Sequence, residues 1–126
     1  MNNLTEHCRH VLVVDDDVGI RDSLRELLEL EGYAVETAEH GRAGLQRIEA
    51  QGVPCLVLLD LMMPVMNGVE FLQALRNHPD PRVANAAVTV VSALDDARSV
   101  EAPYRCEVLR KPVDVEQLID TVQRHC

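Results

Sequence analysis

The chain has 126 residues, 47% of them apolar and 26% charged, with a net charge of −9. One domain of this length buries about two thirds of the surface that its unfolded chain exposes. The acidic balance, with no basic run to reverse it locally, argues against direct contact with nucleic acid. No apolar run approaches the roughly 20 residues that a membrane-spanning helix needs. Met1–Arg9 is polar, without the apolar core of a secretory leader, so a cytoplasmic protein is expected. The four cysteines, Cys8, Cys55, Cys106 and Cys126, are scattered and form no CxxC pair, so all are expected as reduced thiols. Cys55 and Cys106 fall in strand-like stretches and read as plain core residues.

In chain order, His10-Val11-Leu12-Val13-Val14 is a first apolar strand running into Asp15-Asp16-Asp17. Val18 to Glu31 carries Ile20, Leu24, Leu27 and Leu28 at helical spacing, with Asp17 as N-cap and Gly32 as stop. Ala34 to Ala38 alternates as a second strand, and Gly41 to Ala50 is a helix on Ala43, Leu45 and Ile48. Leu56-Val57-Leu58-Leu59 is then too apolar for an exposed element and too short for a membrane span. It reads as a strand buried on both faces, at the centre of a parallel sheet, and it ends on Asp60. A loop from Leu61 to Asn67 leads to a helix through Val69–Leu75, which His78-Pro79-Asp80-Pro81 ends.

Ala87 to Val91 is another buried strand, terminated by Ser92. Leu94, Ala97 and Val100 allow a short helix that Pro103 closes. Cys106 to Arg110 is the last and least apolar strand, at an edge, and it leads into Lys111-Pro112. Asp114 and Gln117 form a capping-box pattern before a final helix that carries Val115, Leu118, Ile119 and Val122 on one face. Five strands alternating with helices make an α/β, doubly wound parallel sheet, read as a single domain over residues 1–126 with its core at about 9–125 and no effector domain.

In such a sheet every strand's carboxyl end lies on one edge, where open α/β folds place their ligands. Asp15 and Asp16, Asp60, Ser92 and Lys111 all stand at strand exits. Carboxylates gathered at about 4 Å repel by about 4 kcal/mol per pair at an effective dielectric of 20. They must bind a cation, take up protons or stay apart. With oxygen ligands only, magnesium suits them better than zinc. Beside a divalent ion, Asp60 becomes a nucleophile towards phosphorus, with Lys111 and Ser92 each holding one phosphoryl oxygen. Singly, each piece has a plain structural reading: a solvated helix N-terminus for the acidic triplet, a turn for Asp60, a surface charge for Lys111. The five histidines suggest no role.

As an ordered set, Val11-Leu12-Val13-Val14-Asp15-Asp16, Leu58-Leu59-Asp60-Leu61-Met62-Met63-Pro64 with Asn67-Gly68, Val90-Val91-Ser92-Ala93 and Lys111-Pro112 resemble the receiver domain of bacterial two-component response regulators. The resemblance implies the flavodoxin-like, CheY-like strand order 2-1-3-4-5. It also implies that Asp60 accepts a phosphoryl group from a sensor histidine kinase or a histidine phosphotransfer protein. Mg2+ would be bound by Asp16 and Asp60 with the main-chain carbonyl of Met62, and by Asp15 through water. Ser92 would move to the phosphoryl group, Lys111 would pair with it, and the Lys111-Pro112 peptide bond would be cis. Output would be partner binding or relay to another histidine. The protein would be a switch rather than an enzyme, a monomer or a weak dimer through the face of the fourth helix, fifth strand and last helix.

Two departures from the pattern stand out. The strand-five position that usually carries an aromatic switch residue is Val108, and the segment from Ser92 to Lys111 is several residues short, so the fourth helix is expected to be truncated or partly unwound. Met62 and Leu94 flank the path of attacking water in this family and neither can orient water, so a long-lived aspartyl phosphate is expected. Two other readings compete. One is a degenerate receiver that binds partners without phosphorylation, favoured by Val108. The other is a phosphatase of the haloacid-dehalogenase type, favoured by the spacing of Asp15 and Asp17 but lacking the Gly-Thr that should follow and any cap domain.

Overall fold

The computed structural model describes residues 10–126. Five strands form one parallel sheet: β1 (His10–Val14), β2 (Ala34–Ala38), β3 (Leu56–Leu59), β4 (Val88–Ser92) and β5 (Glu107–Arg110). The strand order is β2-β1-β3-β4-β5. The three inner strands are the most apolar ones, and they are buried from Val11 to Ser92 with no exposed side chain. The two edges carry the polar residues, as Glu36 and Glu107 show.

The longer helices begin where a side chain accepts from otherwise orphaned amides. In α1 (Val18–Leu30), Asp17 Oδ1 accepts from the N–H groups of Gly19 and Ile20; in α2 (Gly41–Gln51), His40 Nδ1 accepts from that of Ala43. A reciprocal capping box of Asn67 and Glu70 opens α3 (Gly68–Arg76). The segment labelled α4 is a 3₁₀ turn, Ala97–Val100, that runs on into one α-turn, Glu101–Tyr104. Asp114 Oδ1 caps α5 (Val115–His125) by accepting from Glu116 and Gln117.

Alternate strand residues supply two core layers. Val11, Val13, Leu56 and Leu58 face α1 and α5 through Leu24, Leu28, Leu118 and Val122. Leu12, Val14, Val57 and Leu59 face α2 and α3 through Ile48, Phe71, Leu72 and Leu75. No helix of the described residues is long and apolar enough to cross a membrane.

Several expectations are corrected. Cys55 is not a reduced core residue: it is bonded to Cys126, 71 residues away, with a Cα–Cα separation of 5.4 Å. Cys55 sits just before β3 at the sheet's amino edge, and α5 ends on Cys126 at that same edge. Cys106 precedes β5, half-buried and free, and burial pushes its thiol up to about 11. The chain adds a helical turn, Pro81–Ala84, after the prolines that end α3. Asp114 caps on one side only, and the reciprocal box lies at α3 instead. Histidines do have structural partners: His40 caps α2, His78 Nε2 meets Glu49 at 3.0 Å, and His125 Nε2 meets Glu107 at 3.1 Å. Met1–Arg9 and Cys8 lie outside the described residues.

Candidate functional site

Strand register assembles the carboxyl edge. Val14 pairs with Leu59, so the next residues, Asp15 and Asp60, emerge side by side. The main chain carries the alignment one step further, with the Asp60 N–H donating to Val14 O at 3.0 Å and the Asp15 N–H to Ala38 O at 3.1 Å. On the other side Ser92 pairs with Arg110, and the Lys111 N–H donates to Ser92 O at 2.9 Å. The exits of β1, β3 and β5 therefore deliver Asp15, Asp60 and Lys111 to one crevice, with Ser92 ending the strand between the last two.

Asp15, Asp16 and Asp60 each offer a carboxylate oxygen, and these atoms lie within 4.8 Å of one another. Asp15 and Asp60 are buried whereas Asp16 is exposed. Lys111 Nζ stands 3.6 Å from Asp15 Oδ2 and 3.9 Å from Asp60 Oδ1. Asp15 Oδ1 also accepts from the Asp17 N–H at 2.9 Å, and Asp60 Oδ1 from the Met62 N–H at 3.3 Å. Burial raises the Asp60 carboxyl above the ordinary 3.8, and the Asp15 charge adds to it; Lys111 and the Met62 amide pull the other way. The crevice thus holds three carboxylates against one ammonium. That donor set is oxygen only, converges from two strands and is left with two uncompensated negative charges, as suits a hard divalent cation.

The loop after Asp60 is folded tightly. A Cβ on Gly68 would meet Leu61 Cα at 2.5 Å and Asp60 O at 2.7 Å, so only glycine lets α3 start against the exit of β3. The Gly68 N–H closes that contact by donating to Leu61 O at 3.0 Å. Between them Val65 takes a positive φ of 66°, an unfavourable region for a β-branched residue, with the Met66 N–H donating to Pro64 O. Met62 is 63% exposed at the mouth. Ser92 is fully buried, and its Oγ accepts from the Leu94 N–H at 3.1 Å. The Lys111–Pro112 peptide bond is cis.

Asp15, Asp16, Asp60 and Lys111 come together directly, and Ser92 ends the neighbouring strand. Val108 is buried within β5, paired in register with Val90 rather than at the crevice. Sequence reasoning missed Arg21, whose Nη1 donates to Asp15 O at 2.8 Å and ties the first acidic exit to α1. Its position one turn past the Asp17 cap was the available signal, because helical side chains lean back towards the N-terminus.

Comparison with known proteins agrees with this geometry. The family model for the response regulator receiver domain matches residues 11–123. The response regulator MprA of Mycolicibacterium vanbaalenii is 38% identical over 112 residues, which cover 86% of this chain and 46% of that protein. The chain thus spans about half the length of that relative. Among solved structures, chemotaxis protein CheY4 of Vibrio cholerae is 29% identical with a TM-score of 0.82, covering 94% of this chain and 98% of that one. Response regulator TrrA of Thermotoga maritima, in complex with Mg(2+)-BeF, is 30% identical with a TM-score of 0.81, covering 94% and 99%.

Proposed function

The chain belongs to the response regulator receiver domain family, and from that premise we propose that Asp60 accepts a phosphoryl group from a phosphohistidine in a Mg2+-dependent reaction. The observation that carries this reading is the meeting of three carboxylates within 4.8 Å of one another with the Lys111 ammonium 3.9 Å from Asp60. Asp16 and Asp60, with the Met62 main-chain carbonyl, would hold the ion directly, and Asp15 would hold it through water. When bound, Mg2+ supplies the missing counter-charge and neutralises charge that builds on the phosphoryl oxygens.

The chain's own residues supply the rest. Lys111 and the Met62 N–H keep Asp60 ionised against its burial, so that a carboxylate oxygen can attack phosphorus. One Asp60 oxygen–phosphorus bond forms while the phosphorus–nitrogen bond to the donor imidazole breaks. Lys111 then pairs with one phosphoryl oxygen. Ser92, which accepts from Leu94, still has its hydroxyl proton to donate to another. The added charge biases two conformations of the domain, and the output is a binding event with a protein partner or transfer to a second histidine. Residues 9–125 act as one such unit, a switch that catalyses only its own phosphorylation and dephosphorylation. Phosphohistidine draws on ATP, which puts the reaction in the cytoplasm. The acidic surface argues against direct nucleic-acid contact by this domain, and self-association is that of a monomer or a weak dimer through the α4–β5–α5 face.

The test is labelling with a radioactive small acyl phosphate, with Mg2+ and with EDTA. Label that is released by alkali or hydroxylamine, needs Mg2+ and disappears in Asp60→Asn is the expected result. Label lost in Asp15→Asn but kept in Asp60→Asn would move the nucleophile to the first strand, as in a haloacid-dehalogenase phosphatase. No label at all would make the domain a binding module.

A further inference from the structure

We propose that Cys55 and Cys126 are a reversible redox pair that staples the last turn of α5 to the amino end of β3. This does not rest on phosphorylation of Asp60. The two cysteines bridge at the sheet edge opposite the acidic crevice, with a Cα–Cα separation of 5.4 Å, inside the range that disulfides occupy. They therefore join the distal ends of two elements whose other ends serve the crevice. The strand β3 exits at Asp60, and α5 follows Lys111 and Pro112.

Three features make the bond a switch rather than a structural necessity. First, α5 is anchored without it, because Leu118 and Val122 are fully buried and Thr121 is 1% exposed. Arg124 and His125 both pair with Glu107 on β5 at 3.1 Å. A domain with two continuous core layers does not need a cross-link to fold. Second, both cysteines are partly exposed, so a small thiol or disulfide can reach them. Third, the reduced state has a partner in place: Cys55 Sγ lies 3.1 Å from His10 O, where a thiol proton has an acceptor.

The oxidant is a low-molecular-weight disulfide, RSSR. One thiolate of the pair attacks a sulfur of RSSR, forming a mixed disulfide and expelling RS−. The second thiolate attacks the protein sulfur of that mixed disulfide, forming the Cys55–Cys126 bond and expelling the other RS−. The two thiol protons end on two RSH, and two electrons pass from protein to RSSR. Oxidation closes a loop with a sequence separation of 71, which lowers the unfolded fraction by about a thousandfold. Locally, it stops residues 123–126 from fraying.

The test uses Cys8→Ser/Cys106→Ser, which leaves only the pair, equilibrated across graded ratios of glutathione to glutathione disulfide and then quenched by alkylation. Intact mass should pass from two alkylated thiols to an unalkylated form lighter by two hydrogens within the range of ratios, and return when the ratio is reversed. Amide exchange of residues 123–126 should slow by about tenfold or more on oxidation, and Cys55→Ser/Cys126→Ser should show no dependence on the ratio. Peptide mapping of the unsubstituted chain should find the same link, which guards against a folding defect from the Cys106 change. Thiols that stay alkylatable in excess disulfide, or a glutathione adduct that accumulates instead, would overturn the pairing. A bond that persists in excess glutathione would overturn its reversibility.

Discussion

Asp60→Asn should stabilise the metal-free domain, although it destroys the proposed acceptor. The charges almost cancel. Within 4.8 Å and at an effective dielectric of 20, Asp15 repels Asp60 by no less than about 3.5 kcal/mol, and Lys111 at 3.9 Å attracts it by about 4 kcal/mol. What remains is burial, the largest cause of the raised Asp60 value, with Asp16 adding a little. Asparagine keeps an oxygen for the Met62 N–H and removes the desolvation cost, a gain of about 2 kcal/mol. For a chain of this size that is about 6 °C in Tm.

The sign with pH follows from the direction of the shift. Asp60 titrates above its unfolded value of 3.8, so its contribution to stability is full below that value and is lost as pH rises through the folded one. The variant's advantage should be absent in acid and grow as pH rises through the folded value. Thermal melts of both proteins in EDTA, and again with saturating Mg2+, are the assay. Mg2+ at about a hundred times its Kd adds about 2.7 kcal/mol to the wild type alone, which should close or reverse the gap. A variant that melts at or below the wild type in EDTA at neutral pH would refute the assignment of burial as the deciding cost.

Other consequences can be checked with the same purified protein. Thr89 Oγ1 is a fully buried hydroxyl with no hydrogen-bond partner, so Thr89→Val should raise the urea unfolding free energy by about 1 kcal/mol. Val65→Asn should do likewise by about 1 kcal/mol, because asparagine tolerates the positive φ that costs valine. Arg76 donates to the carbonyls of Ala84, Ala86, Tyr104 and Arg105; Arg76→Ala should cost about 2–4 kcal/mol and disperse the amide resonances of α4. Met62→Asn should shorten the lifetime of the proposed aspartyl phosphate on the order of tenfold or more in a chase of labelled protein, since it puts a group able to orient water where an exposed thioether now stands, and Leu94→Glu should act in the same direction.

Elements of the fold were legible wherever one local property decided them. Apolar runs at Val11–Val14, Leu56–Leu59 and Val88–Val91 mark buried strands because nothing but a two-sided cover tolerates them. Asp15, Asp16, Asp60 and Lys111 were legible as neighbours because parallel strands end on a common edge. The disulfide was not, since Cys55 and Cys126 carry no spacing signal and meet only after α5 has crossed the sheet. Arg21 was signalled only by its position one turn past the Asp17 cap, since its partner is a main-chain carbonyl and no side-chain chemistry marks the pair. The capping pattern was read at Asp114 but is completed at Asn67, because a reciprocal box depends on a rotamer as well as on residue type.

Val108 bears on how a switch of this kind can work. It is 6% exposed and paired with Val90 inside the sheet, and a valine side chain has no ring to swing. The aromatic nearest in sequence, Tyr104, sits at the opposite end of β5 from Lys111. Its hydroxyl accepts from Gln73 Nε2 and its carbonyl from Arg76 Nε, so the carboxyl end of α4 is moored to α3. The segment leading into α4 is held by Ser92, whose Oγ accepts from the Leu94 N–H, and by Arg110 Nη2 on Asp95 at 3.0 Å. In the proposed reaction, a Ser92 side chain that turns to a phosphoryl oxygen leaves that amide without its acceptor. With the far end held, the strain falls on residues 93–100. There the 3₁₀ turn, with its poorer hydrogen-bond geometry, is the piece of helix that gives way most readily.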